Sequence, residues 1–111
     1  MVISDEVVIA GSLYKKNNEL EPTIDPHVPQ HLIDNIEQEI IPDIMSDGGW
    51  TPDRIFVMDI GANVNGRLTL YGIIELNSIC CSGWYACDPK PIISEMSRIA
   101  LEEWKNINEM L

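Results

Sequence analysis

Residues 55–76 read IFVMDIGANVNGRLTLYGIIEL, and this stretch decides the fold. Its first part, up to Ile60, is rich in β-branched and aromatic side chains, which favour a strand. Its second part alternates polar side chains with apolar ones or glycine, the period of a half-buried strand. The non-polar positions are Leu68, Leu70, Gly72, Ile74 and Leu76. Gly61 to Gly66 predicts the connecting loop, so the whole stretch is predicted to be a β-hairpin.

The chain before this hairpin predicts two further strands. Residues 7–14 begin with Val7, Val8 and Ile9 and predict a strand of about eight residues. Residues 19–24 predict a weaker one. Three prolines between residues 22 and 29 then favour an irregular connector, because proline lacks a backbone donor. After the hairpin, residues 79–85 are compatible with either an added strand or a buried loop.

Two helices complete the expected elements. The first begins near Gln30 and carries an apolar stripe at steps of three and four residues. The stripe comprises Leu32, Ile33, Ile36, Ile40 and Ile44. Pro42 predicts a kink or a fresh turn, and Asp47-Gly48-Gly49 predicts the helix end. The second helix begins near Pro91 and keeps one apolar face to the C-terminus.

These elements predict an α+β fold for a chain of 111 residues. The expected architecture is an antiparallel sheet of three to five strands with two helices packed on one face. The length predicts a single domain spanning residues 1–111.

Charge is distributed unevenly along the chain. The formal net charge is −11, and residues 17–53 contain no lysine or arginine. That segment holds nine acids: Glu19, Glu21, Asp25, Asp34, Glu37, Glu39, Asp43, Asp47 and Asp53. A field of one sign concentrated in one segment attracts basic partners and repels nucleic acid, so no direct nucleic-acid binding is expected.

The acidic segment predicts a binding surface. If the first helix packs its stripe on the sheet, its carboxylates point outward and resemble the phosphates of a nucleic acid in sign and spacing. The expected partner-binding residues are Asp34, Glu37, Glu39, Asp43, Asp47, Asp53 and the aromatic Trp50. The expected partner is a basic, nucleic-acid-binding protein whose own groove is lined with lysine and arginine. We therefore expect a small non-enzymatic inhibitor, of an immunity or anti-defence type, that acts by charge mimicry.

Two other hypotheses remain open. The first is a metal or iron–sulfur scaffold that uses Cys80, Cys81 and Cys87. A helix, Asp47-Gly48-Gly49, two strands, a cysteine loop and a closing helix resemble the NifU-like iron–sulfur scaffold domain in order. That family carries its cluster on a C-x-x-C pair, whereas this chain has two adjacent cysteines and a third six residues later. The second hypothesis is an assembly adaptor or enzyme subunit with incidental acidity.

No catalytic residue, cofactor or metal ligand is assigned from the sequence. The chain has no glycine-rich phosphate loop, and no group is placed to orient a cysteine–histidine pair. Its N-terminus carries Asp5 and Glu6, where a secretory signal has basic residues. We expect a cytoplasmic protein with reduced thiols and no membrane partner.

Overall fold

The structure is a computed structural model that describes residues 1–16, 19–25, 28–46, 48–85 and 87–110. It contains six strands, three α-helices, one π-turn and one short 3₁₀ turn. The strands are β1 (Val2–Ser4), β2 (Val7–Ala10), β3 (Leu13–Lys16), β4 (Glu19–Asp25), β5 (Ile55–Asn65) and β6 (Leu68–Ser78). The helices are α1 (Gln30–Asn35), α2 (Ile41–Ser46) and α3 (Pro89–Met110), with the π-turn at Ile36–Ile40 and the 3₁₀ turn at Ile79–Cys81. The α+β class is confirmed.

Four of the strands form the main antiparallel sheet, in the order β2-β1-β5-β6. The expected hairpin is present, but residues 61–65 belong to β5 and not to a loop. The turn is reduced to Gly66 and Arg67, and Gly66 adopts the positive φ of 64° that favours glycine. The two strands pair from Phe56 and Ser78 to Asn65 and Leu68, with a register shift between Asp59 and Ile60 that leaves Ile74 as a bulge.

The N-terminal strands differ from the sequence-based expectation. The single strand predicted over residues 7–14 is wrong, because Gly11 and Ser12 separate β2 from β3. Strand β1 was not predicted, although it lies between β2 and β5 in the sheet. Strand β4 is present as expected and pairs with β3 in a separate two-stranded sheet. Residues 79–85 form no strand; they make the 3₁₀ turn and a loop.

Pro42 coincides with a change of helical winding. The amide of Ile41 donates to the carbonyl of Ile36, five residues back, which is the π-helical pattern. This wide turn lies immediately before the proline, whose ring would clash with a regular turn. Because one residue is added, the buried positions run Leu32, Ile36 and then Ile41. The sequence predicted a kink or a fresh turn at Pro42, whereas the structure has this π-helical turn before it.

Two apolar clusters lie on opposite faces of the sheet. Helix α3 contributes Ile92 and Ile99 to one cluster, against Val2, Ile55, Val57 and Ile79. The helical segment at residues 30–46 contributes to the other, which comprises Ile3, Leu32, Ile36, Ile41, Phe56 and Met58. The expected placement of both helices on one face is therefore wrong. The uninterrupted apolar run at the start of β5 is typical of a strand that is covered on both sides.

Helix α3 extends beyond the sheet. Its first turns are buried through Ile92 and Ile99, but Trp104, Ile107 and Met110 are exposed. Glu102 of α3 contacts Arg54, the residue just before β5, and the rest of α3 continues beyond that point. The hairpin β5–β6 therefore extends from the sheet in the opposite direction. Within the described residues, no helix combines the length and the apolar character needed to cross a membrane.

Candidate binding site

The acids of the first helical segment make few contacts with basic groups. Asp34 accepts a hydrogen bond from the Gln30 side-chain amide, and Glu39 accepts one from Asn35, both at 2.9 Å. These amides are neutral and lie on the same helix. Neither hydrogen bond therefore brings a positive charge to the carboxylate.

Glu37 has a different environment. Its Oε1 accepts a hydrogen bond from the backbone amide of Val8 at 2.9 Å. Val8 lies in β2, at one edge of the main sheet. The Glu37 carboxylate thus covers an edge donor, which protects that edge from pairing with another chain.

The remaining predicted residues lie around the end of α2. Asp43 and Asp53 are exposed. Trp50 is 72% exposed, so its side chain does not pack over the end of α2. The Asp53 carboxylate accepts a hydrogen bond from the Arg54 backbone amide at 2.7 Å. Asp47 lies outside the described residues.

Acids outside this segment form a network with two arginines. Arg54 contacts Asp5 and Glu102, and Arg98 contacts Asp5, Glu95 and Glu102. The two guanidinium groups hold the pKa of Asp5 well below its usual range, mainly through their hydrogen bonds to the carboxylate. The same bonds raise the pKa of both arginines. The cations are therefore committed to this network.

The contrast between the two groups of acids is sharp. Among the described side chains, no acid of residues 30–53 forms a salt bridge with lysine or arginine. The arginines nearest the segment already have carboxylate partners. As far as the described side chains show, the negative charge of this segment is therefore uncompensated.

A groove of about 440 Å³ lies where α2, β5 and the β1–β2 turn meet. Its apolar lining comes from Ile41, Ile44, Met45 and Phe56. Its polar lining comes from Asp5, Glu6, Thr51, Asp53 and Arg54. The volume falls within the usual range for ligand pockets, and the pattern is an apolar wall with an acidic rim.

The β1–β2 turn contributes two acids that the sequence analysis did not select. Asp5 and Glu6 both adopt positive φ, at 45° and 70°, in a two-residue connection between β1 and β2. Such turns favour asparagine, aspartate and glycine, so Glu6 is the conformationally strained residue of the two. Asp5 is bound by both arginines, whereas Glu6 is exposed and has no ionic partner among the described side chains. The sequence feature that could have indicated this turn is the Asp5-Glu6 pair between two short runs of β-branched residues.

A second, smaller cleft of about 130 Å³ lies at the base of the hairpin. Asp59 and Glu75 face each other across β5 and β6, and Asn77 lies on the same side. Like charges directly opposite in an antiparallel pair destabilise a sheet. The sequence analysis did not select these residues for a site.

The cysteines do not form a ligand set. Cys80 and Cys81 are exposed, Cys87 is half-buried, and all three are free thiols. Burial raises the pKa of the Cys87 thiol, which disfavours its thiolate. Among the described residues, no three His, Cys, Asp or Glu side chains come together closely enough to hold a metal ion.

Comparison with known proteins gives no relative: the chain matches no family model, no curated protein and no solved structure.

Proposed function

We propose that this protein is a small, non-enzymatic binding domain that occupies a basic surface of a partner protein. One observation carries the proposal. The described acids of residues 30–53 have no cationic partner among the described side chains, whereas three acids outside that segment are paired with Arg54 and Arg98. Uncompensated charge of one sign favours a partner of the opposite sign.

The groove supplies the apolar contact that a charged surface alone lacks. Its apolar wall accepts an aliphatic or aromatic side chain, and its rim places Glu6 and Asp53 beside the entrance. Arg54 also lines the groove, but its Nε and Nη2 donate to Asp5 and Glu102. A partner segment that carries one apolar residue between lysines or arginines fits this arrangement.

Long-range charge affects the rate of this association. A net charge of −11 accelerates the approach of a cationic partner and makes the association sensitive to salt. Where the partner's basic surface also binds nucleic acid, the protein competes for that surface and acts as an inhibitor. Raising salt from about 0.05 to 0.5 M should slow capture about tenfold or more, since screening shortens the range of these forces.

Calorimetric titration with designed peptides tests the proposal. The probe is a short peptide with a central leucine flanked by lysine and arginine. One control peptide replaces the leucine with serine, and a second replaces the basic residues with glutamate. We expect the probe to bind most tightly, the serine peptide to bind more weakly, and the glutamate peptide not to bind.

Matched protein variants locate the interaction. Glu6→Gln and Asp53→Asn each remove one charge at the groove, whereas Glu109→Gln removes one charge on the exposed end of α3. The groove variants should weaken binding of the probe by roughly three- to tenfold, and Glu109→Gln should leave it nearly unchanged. Equal effects from all three variants, or no binding of the probe, would refute the proposal.

A further inference from the structure

The connection between α2 and β5 places an exposed tryptophan at the rim of the groove. Gly48 adopts a positive φ of 68°, and a Cβ atom added to Gly49 would collide with the carbonyl oxygen of Ile44. The backbone therefore turns back closely against the helix, at two positions where glycine is favoured. Trp50 follows directly and is 72% exposed, and the next residue, Thr51, lines the groove. The indole is thus available to a ligand and is not part of the core.

Asp53 supplies a carboxylate three residues after the tryptophan. The carboxylate accepts a hydrogen bond from the Arg54 backbone amide at 2.7 Å, and the Thr51 hydroxyl donates to the Asp53 carbonyl at 3.3 Å. One such bond leaves most of the acceptor capacity of a carboxylate for a ligand. Three residues of chain span at most about 11 Å. A guanidinium group between the Trp50 ring and the Asp53 carboxylate can therefore contact both.

The end of α2 also favours a cation at this place. Ile44 and Met45 belong to its last turn and line the groove, so the helix ends beside it. The last carbonyls of a helix lack partners within the helix and carry partial negative charge. The last turn contains no basic residue that would offset this charge. Arg54 lines the groove too, but its guanidinium is paired with Asp5 and Glu102.

These features separate arginine from lysine as a ligand. A guanidinium group is planar, stacks on an aromatic face and binds a carboxylate through two parallel hydrogen bonds. A lysine ammonium is a compact and strongly hydrated point charge, so it gains less from the ring and cannot form the paired bonds. An exposed carboxylate alone accepts either cation. The tryptophan beside it distinguishes the two.

We propose that the groove selects an arginine next to the apolar residue of its partner, with the guanidinium stacked on Trp50 and paired with Asp53. The inference rests on the binding function proposed above, and it narrows the partner to an arginine-bearing protein segment. The apolar side chain of that segment enters between Ile41, Met45 and Phe56, and the arginine lies over the rim. Trp50 then determines specificity, whereas the exposed acids attract any cationic partner.

Calorimetric titration with two peptides of equal charge tests the preference. Each peptide has a central leucine, which is flanked by arginines in one peptide and by the same number of lysines in the other. We expect the arginine peptide to bind about fivefold more tightly, since only its side chains can stack and pair at once.

Variants of two tryptophans locate the origin of this preference. Trp50→Leu should remove most of it by weakening the arginine peptide, while the affinity for the lysine peptide changes by less than about twofold. Trp50→Phe keeps an aromatic face and should retain part of the preference. Trp104→Leu is the matched control, because Trp104 is 64% exposed on α3 and should leave the ratio of affinities unchanged. Circular dichroism establishes that all three variants fold.

The possible outcomes separate the arginine preference from the binding function on which it rests. Equal affinity for the two peptides would overturn the preference and leave the binding function intact. Failure of both peptides to bind would refute both. A preference that survives in Trp50→Leu, or that Trp104→Leu also removes, would overturn the role of Trp50.

Discussion

The Arg54 guanidinium meets the Asp5 carboxylate side-on, with Nε 2.9 Å from Oδ1 and Nη2 2.9 Å from Oδ2. The two residues are 49 positions apart in the sequence. Arg98 adds a third bond, to Oδ2 at 2.7 Å. The contact joins the β1–β2 turn to the start of β5 and to α3. It fixes the acidic rim of the groove to the body of the protein.

This contact predicts how stability depends on pH. The arginines depress the pKa of Asp5 in the folded state, so its contribution is fully present above its ordinary pKa of 3.8. The contribution is lost as the pH falls below that value towards the folded pKa. Asp5→Asn retains a residue that tolerates positive φ but removes the charge. It should lower the free energy of unfolding by about 1 kcal/mol at pH 7, a figure discounted for solvent screening.

The comparison is made by chemical denaturation across a pH series. The difference between the wild type and Asp5→Asn should shrink as the pH falls from about 5 to 2, because the wild-type carboxylate becomes protonated. Added salt should shrink it at pH 7 as well. A difference that is constant over this range would show that the ion pairs do not stabilise the turn.

Glu6 predicts a gain in stability. Its φ of 70° is unfavourable for a side chain with a Cβ atom, and no described side chain forms an ion pair with it that could offset the strain. Glu6→Gly should raise the free energy of unfolding by about 1 kcal/mol. Glu6→Ala removes the same carboxylate but keeps the Cβ, so it should show no comparable gain. Similar thermal melts for the two variants would contradict a strained turn.

The π-turn before Pro42 predicts which isoleucine matters most. Ile41 is 4% exposed, whereas Ile40 is only half-buried. Ile41→Ala should lower the free energy of unfolding by about 2–5 kcal/mol, and Ile40→Ala should cost clearly less. Urea denaturation of both variants makes the comparison. An equal loss would indicate that a regular helix continues through this segment.

The same two residues show where sequence reasoning stops. A stripe at steps of three and four includes Ile40 and omits Ile41, because it assumes regular winding. The proline signalled a disturbance but not its form. A kink, a fresh turn and an added residue are all compatible with Pro42, and only the last moves Ile41 into the core.

In the sheet, too, some strands were predicted from the sequence and others were not. The alternation in residues 68–76 correctly predicted a strand, and its partner in β5 was also expected. The two-sided burial of β5 could have been inferred from the run at residues 55–58, since four consecutive apolar residues fit a doubly covered strand. Strand β1 has only three residues, too few for a reliable period. Its position in the sheet depends on pairing that local sequence does not encode.

Much of the groove was also beyond local patterns. The acidic segment indicated Asp53 and Trp50, and both are exposed. Asp5 and Glu6 reach the same groove only because β1 pairs with β5. Contacts between residues so far apart in the sequence depend on topology. Counting charges along the chain therefore misses the two acids that the N-terminal turn adds to the groove.

Glu37 and Glu39 predict losses of different size although both are acids on the same helical segment. Glu37→Gln weakens the acceptor for the Val8 amide at the sheet edge and should cost about 1 kcal/mol of stability. Glu39→Gln removes only a surface contact with Asn35 and should change stability by less than about 0.5 kcal/mol. Thermal melts of the two variants measure these two losses of stability. Reversal of Glu39 to lysine is consequently the cleaner test of partner binding, since any effect of altering Glu37 mixes binding with folding.

Asp59 and Glu75 predict that removing a charge stabilises the hairpin. They lie directly opposite on neighbouring strands, where like charges repel. Glu75→Gln should raise the free energy of unfolding by roughly 0.2–1 kcal/mol. The measurement includes EDTA, so that no divalent cation shields the pair. Glu109→Gln changes the net charge equally without removing a cross-strand neighbour. If that control gave the same gain, the stabilisation would come from the lower overall charge and not from this pair.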